Sequence, residues 1–169
     1  MDLDKLTQGE KILGGSSLAL FILSFLPLWA KVEVSADGLG GIGDASQRFN
    51  AWDAYGILVK LGLLAALIAA GLVIAKAAGV KLEIPREPVY LGLAGVTLVA
   101  MALALAIGPD ESGSGDLFGV SVEISRGIAL FLGTLLAAAM AFGAWMHKGA
   151  ETAIPGTTGT APTAPPPAF

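Results

Sequence analysis

The sequence predicts an all-α membrane protein: a four-transmembrane-helix bundle carrying a small extracytoplasmic antiparallel β cap built from its two outer loops. Three observations predict it. Of the 169 residues 54% are hydrophobic and only 14% are charged, where soluble domains carry about 25% charged residues. The apolar residues fall into four blocks, each close to the roughly 20 residues needed to cross a hydrocarbon core about 30 Å thick. Two stretches between the blocks alternate apolar and polar residues, as half-buried strands do.

The first span is expected over residues 12–29, after Glu10 and Lys11. A cleaved leader is the alternative, with Val34-Ser35-Ala36 as a loose cleavage site, but bulky Leu28 and Trp29 directly after the apolar run favour a retained helix. The outer loop 30–53 follows, with Val32-Glu33-Val34-Ser35 alternating before the turn-rich Gly38-Leu39-Gly40-Gly41-Ile42-Gly43. Span two is expected over 54–75, ending at Lys76 and Gly79, and span three over 89–107, between Pro88 and Gly108-Pro109. The short inner loop makes these two antiparallel neighbours. In the second outer loop, 108–127, the run Val120-Ser121-Val122-Glu123-Ile124-Ser125 alternates again. Two such segments on one side can pair into a sheet, satisfying backbone groups that isolated strands would leave unpaired. Two flexible Gly/Ser loops are the other reading. Span four is expected over 128–146, and the Pro/Thr/Ala-rich stretch 150–169, including Pro165-Pro166-Pro167, reads as a disordered cytoplasmic tail.

With both termini cytoplasmic, Lys5, Lys11, Lys76, Lys81, Arg86 and Lys148 lie inside, while Lys31, Arg48 and Arg126 lie outside. That bias predicts this orientation in the cell membrane. Glu33, Asp37, Asp44, Asp53, Asp110, Glu111, Asp116 and Glu123 then make the outer face acidic.

Chemistry is constrained mainly by exclusion. A formal charge of −4 argues against nucleic acid as a partner. With no cysteine and a single histidine, His147, thiolate chemistry and histidine-rich metal sites are excluded. The glycine-rich run 38–43 lacks the Gly-Lys-Ser/Thr ending of a phosphate loop, and Asp110, Glu111 and Asp116 match no calcium-loop spacing. No catalytic residue, cofactor or metal is therefore assigned.

Lys60 is the one ionisable residue inside an expected span, which makes it a candidate for ligand or partner contact, beside the simpler reading of a side chain that snorkels to the interface. Asp53, seven residues earlier, is expected on the same helix face as its counter-charge. Trp29 and Trp52 are expected at the base of the cap, packing it onto the helices or touching a partner. Small residues at four-residue spacing, Gly62-Ala66-Ala70 and Gly133-Ala137-Ala141, allow close helix approach.

Phe25-Leu26-Pro27-Leu28-Trp29, followed by Phe49-Asn50-Ala51-Trp52-Asp53, resembles a pattern of uncharacterised small four-span membrane proteins of high-GC Gram-positive (actinobacterial) bacteria. The opening Leu6-Thr7-Gln8-Gly9-Glu10-Lys11-Ile12 is similar to their amphipathic entry. The layout is also similar in architecture to the claudin-like tetraspans, without their paired loop cysteines. The resemblance implies a four-span layout and no particular activity. The expectation is a non-enzymatic interaction or scaffold subunit, with the lipid bilayer and a membrane-protein partner or second copy as its contacts. A small transporter or channel component, or a lipid-binding protein, with Lys60 lining a cavity, is the alternative.

Overall fold

Thr7 opens the first helix. Its hydroxyl accepts the Glu10 N–H at 3.2 Å while the Glu10 carboxylate accepts the Thr7 N–H at 3.0 Å, a reciprocal capping box that satisfies two otherwise orphaned donors. In a computed structural model, which describes residues 6–36, 45–80, 85–109, 115–117 and 120–152, helix α1 therefore runs Gln8–Ser24. It begins before residue 12 and stops well short of the expected end at 29. Pro27 has no N–H and disfavours a helical Leu26, so the chain leaves through the tight bonds Phe25 N–H to Ile22 O and Leu26 N–H to Leu23 O.

Strand β1, Ala30–Ala36, begins directly after Trp29, and β2, Ala45–Phe49, pairs with it antiparallel. The second of these was not expected; 45–52 carries no alternation long enough to mark it. Asn50 then caps a one-turn helix α2, Ala51–Ala54, its side chain accepting from the Trp52 and Asp53 N–H groups. Tyr55 is extended (φ −131, ψ 148), so the expected span from 54 to 75 is broken at its start, and α3 runs Ile57–Ala77. Helix α4, Arg86–Ile107, starts earlier than residue 89 because Pro88 falls in its first turn, where a missing N–H leaves no bond unmade. It ends at Gly108, whose φ of 92 is open to glycine.

Strands β3, Gly115–Leu117, and β4, Val120–Arg126, lead into α5, Ile128–Thr152. This last helix outruns the expected end at 146 and takes in the first residues assigned to the tail; residues 153–169, with the rest of that expected tail, lie outside the described residues, as do residues 37–44, where the glycine-rich turn is expected. The sheet has the order β2-β1-β4-β3, antiparallel throughout. Its central pair, β1 with β4, is the pairing that the alternation of the two loops predicts.

Helices α1, α3, α4 and α5 run alternately up and down and touch in the cyclic order α1-α3-α4-α5-α1. Three of them, over Ile57–Ala77, Arg86–Ile107 and Ile128–His147, are long and apolar enough to cross a membrane. Their burial is distributed as such a solvent requires. Alanines, with Leu63, Met101, Leu130 and Met140, fill the interior, while Ile57, Ile68, Val99, Leu135 and Phe142 point outward. Leu135 is 67% exposed, a costly placement in water at roughly 25 cal/mol per Å² of apolar surface and a neutral one in lipid. The small residues of α3 and α5 serve this internal packing: Gly62 faces Ala100 and Thr97, and Gly133 leaves room for the Trp29 ring.

Candidate functional site

The sheet joins the helices through the backbone around Trp29. Its N–H donates to Phe49 O at 3.0 Å, its carbonyl accepts from Gly127 at 2.7 Å, and Ala129 N–H donates to Leu28 O at 3.1 Å. A side chain at Gly127 would put its Cβ 1.9 Å from Leu28 O, so this junction closes only over glycine. The Trp29 ring is fully buried, its Nε1 donating to Leu23 O at 2.7 Å and its edge meeting Tyr55, whose hydroxyl donates back to Trp29 O at 3.3 Å. Burial pushes the Tyr55 phenol up to about 12, with the Arg126 charge acting the other way, so the hydroxyl remains a donor. Trp52 is half-buried, stacked on Phe25, with Nε1 donating to Ser24 Oγ at 3.1 Å. Both tryptophans thus stand where the sheet meets the helix ends.

Lys60 and Asp53 are not brought together. The extended residue Tyr55 separates their helices, so the expected common face does not exist, and Asp53 instead accepts from Asn50 Nδ2 at 2.8 Å. Lys60 lies three residues into α3, about 4.5 Å from its start at helical rise. It is half-buried, and among the described residues it has no ion pair and lines none of three clefts at the sheet end. One cleft, about 220 Å³, lies under the sheet against Phe49, Asp53 and Ile124. A second, about 330 Å³, runs between the start of α3 and the end of α4. The third, about 240 Å³, opens on the other side, beside Lys31, Arg48 and the start of α5.

The strongest electrostatic feature is at the opposite end, and sequence reasoning treated its members only as charges or anchors bordering spans. Glu10 is fully buried, with Lys76 Nζ 2.6 Å from both carboxylate oxygens. Thr7 Oγ1 is 3.2 Å from Glu10 Oε2 and 3.3 Å from His147 Nδ1, and the His147 ring lies edge-on to Tyr90 at 5.4 Å. The Lys76 and Thr7 hydrogen bonds and the Lys76 charge compensate the buried Glu10 carboxylate. Side chains from all four long helices meet here. Approach is close enough that a Cβ on Gly9 would lie 2.5 Å from Gly143 O. The signal was present in the sequence: Thr7-x-x-Glu10 ahead of an apolar run is a capping box, and it fixes where the carboxylate points.

This cluster is a structural lock: the Glu10–Lys76 pair ties α1 to α3, and the Thr7–His147 and His147–Tyr90 contacts bring α5 and α4 against it. Among the described residues no three His, Asp or Glu side chains converge as a metal site requires; Asp110 and Glu111 lie outside them. Compared with known proteins, the sequence matches no protein-family model and no curated protein.

Proposed function

We propose that the chain is a four-span protein of the cell membrane, with both termini cytoplasmic and the sheet outside, and that it works as a non-enzymatic interaction or scaffold subunit. The observation that carries this reading is where the interior polar groups are directed. Glu10 binds Lys76 and Thr7, Thr97 Oγ1 reaches Gly62 O and Leu93 O, and Ser16, Ser17, Ser24 and Thr134 bond carbonyls of their own helices. A transport path needs polar groups turned toward water or substrate; these are turned toward the chain itself, while β2 and β3 stand at the sheet edges, each with one side unpaired among the described residues. Helix α1, at 17 residues, supplies the fourth span: about 26 Å at helical rise, with Leu18, Ile22 and Phe25 facing outward like the apolar residues of its neighbours.

The absence of cysteine makes the topology directly testable, because a single introduced thiol is the only one. Ser46→Cys in β2 and Gln8→Cys at the start of α1 place exposed thiols at opposite ends. A membrane-impermeant maleimide should label the first in intact cells and the second only after permeabilisation; the reverse pattern would sink the orientation. For the interaction role, a photo-crosslinking residue at exposed Gln47 should give one discrete protein adduct in cells. A crosslinking pattern containing no protein adduct argues against a subunit role.

A further inference from the structure

The strand cations are arranged by height. Registered across β2, β1 and β4, the rows leading away from the helices are Phe49–Ala30–Arg126, then Arg48–Lys31–Ser125, then Gln47–Val32–Ile124, then Ser46–Glu33–Glu123. Each row adds about 3.3 Å. Lys31, Arg48 and Arg126 therefore sit in the two rows nearest the helix ends, within about 7 Å of them, and the facing carboxylates Glu33 and Glu123 stand farther out. An otherwise acidic chain thus shows its positive charge at the level where phosphates lie if the helices span a bilayer.

A cleft of about 240 Å³ opens at that level, lined by Lys31, Arg48 and Ser125 together with Pro27, Leu28 and Ile128. Arg48 is exposed and pairs with no carboxylate among the described residues. Lys31 contacts Glu33 in a half-exposed pair, the kind of surface contact worth little, which an incoming anion can share. Arg126 also borders the cleft, its guanidinium donating to Ala106 O at 3.3 Å. Cationic and apolar side chains lining one cleft, beside exposed Leu26 and Ile128, match a ligand that is anionic at one end and hydrocarbon at the other.

We infer that this cleft holds the phosphate of an anionic phospholipid headgroup, with Arg48 and Lys31 as its ligating cations. The inference rests on the membrane reading above. Its test is affinity of the full chain, in zwitterionic detergent, for short-chain phosphatidylglycerol against phosphatidylcholine, with glycerol phosphate as competitor. Phosphatidylglycerol should bind at least about tenfold more tightly, as charge-assisted hydrogen bonds to phosphate imply. The double variant Lys31→Gln/Arg48→Gln should lose that preference while keeping its helical circular dichroism, and Arg48→Lys should restore part of it on the Lys31 background. Equal binding of the two lipids, or undiminished preference in the double variant, overturns the site; displacement by glycerol phosphate overturns the lipid assignment in favour of a soluble phosphate ester. Labelling of Ser46→Cys from the cytoplasmic side would instead remove the orientation while leaving the measured lipid preference intact.

Discussion

Replacing Lys76 by Met tests whether the Glu10 cluster locks the helices. In the protein Glu10 has no exposed surface and takes both short contacts from Lys76. Met keeps the length of the side chain but leaves a buried carboxylate with Thr7 and His147 as its remaining neighbours. Stranding one member of a buried pair costs about 3–5 kcal/mol, which for a chain of this size lowers the melting temperature by roughly 6–20 °C at 2–4 °C per kcal/mol. The double variant Glu10→Gln/Lys76→Met should recover most of that loss, because Gln still closes the capping box and no charge is left behind. Intrinsic tryptophan fluorescence in mild detergent reads both. A Lys76→Met protein as stable as the parent, or a double variant less stable than either single one, would refute the lock.

Three other substitutions separate structural from functional residues. Lys60→Leu should leave the melting temperature unchanged or higher, since Lys60 has no ion pair among the described residues and sits one turn from a helix end; loss of phosphatidylglycerol binding in this variant would give Lys60 the role that the cleft geometry gives to Arg48. Trp29→Ala should cost about 3–5 kcal/mol and expose the sheet to limited proteolysis, because its buried ring and its bond to Leu23 O seat the junction; unchanged protection would show that the backbone bonds alone suffice. Thr97→Val removes the α4-to-α3 hydrogen bond to Gly62 O and should cost under about 1 kcal/mol, in keeping with interhelical bonds in lipid, as read by the same melting assay.

Legibility in the sequence followed the strength of the local signal. Apolar blocks located α3 and α4 to within a few residues and α5 at its start, and period-two alternation located β1 and β4, because both patterns are imposed by what surrounds each element. Helix ends were read less well, since they depend on bonds rather than on hydropathy: Thr7 with Glu10 moved the start of α1, Pro27 its end, and extended Tyr55 detached α2 from α3. That last break is what undid the Asp53–Lys60 pairing, a helical-face argument carried across a residue that is not helical. Glu10, Lys76 and His147 were read only as border residues: the Thr7-x-x-Glu10 spacing marks the helix cap, but the convergence of the three is a property of how four helices pack.

The two ends of the molecule solve one physical problem differently. Helices lined with alanine and glycine gain little from the hydrophobic effect when the surrounding medium is itself hydrocarbon, so their association has to be set by contacts that a lipid tail cannot imitate. At one end the means is charge: a carboxylate, an ammonium, a hydroxyl and an imidazole on three elements, buried beside Tyr90 of a fourth. At the other it is backbone: Trp29, Gly127 and Phe49 exchange main-chain bonds so that strand pairing and helix ends share one junction. Both sets are directed inward, whereas the strand edges and the cationic cleft at the sheet end face outward among the described residues. The proposed role in contact with lipids and partner chains rests on that distribution rather than on any single residue.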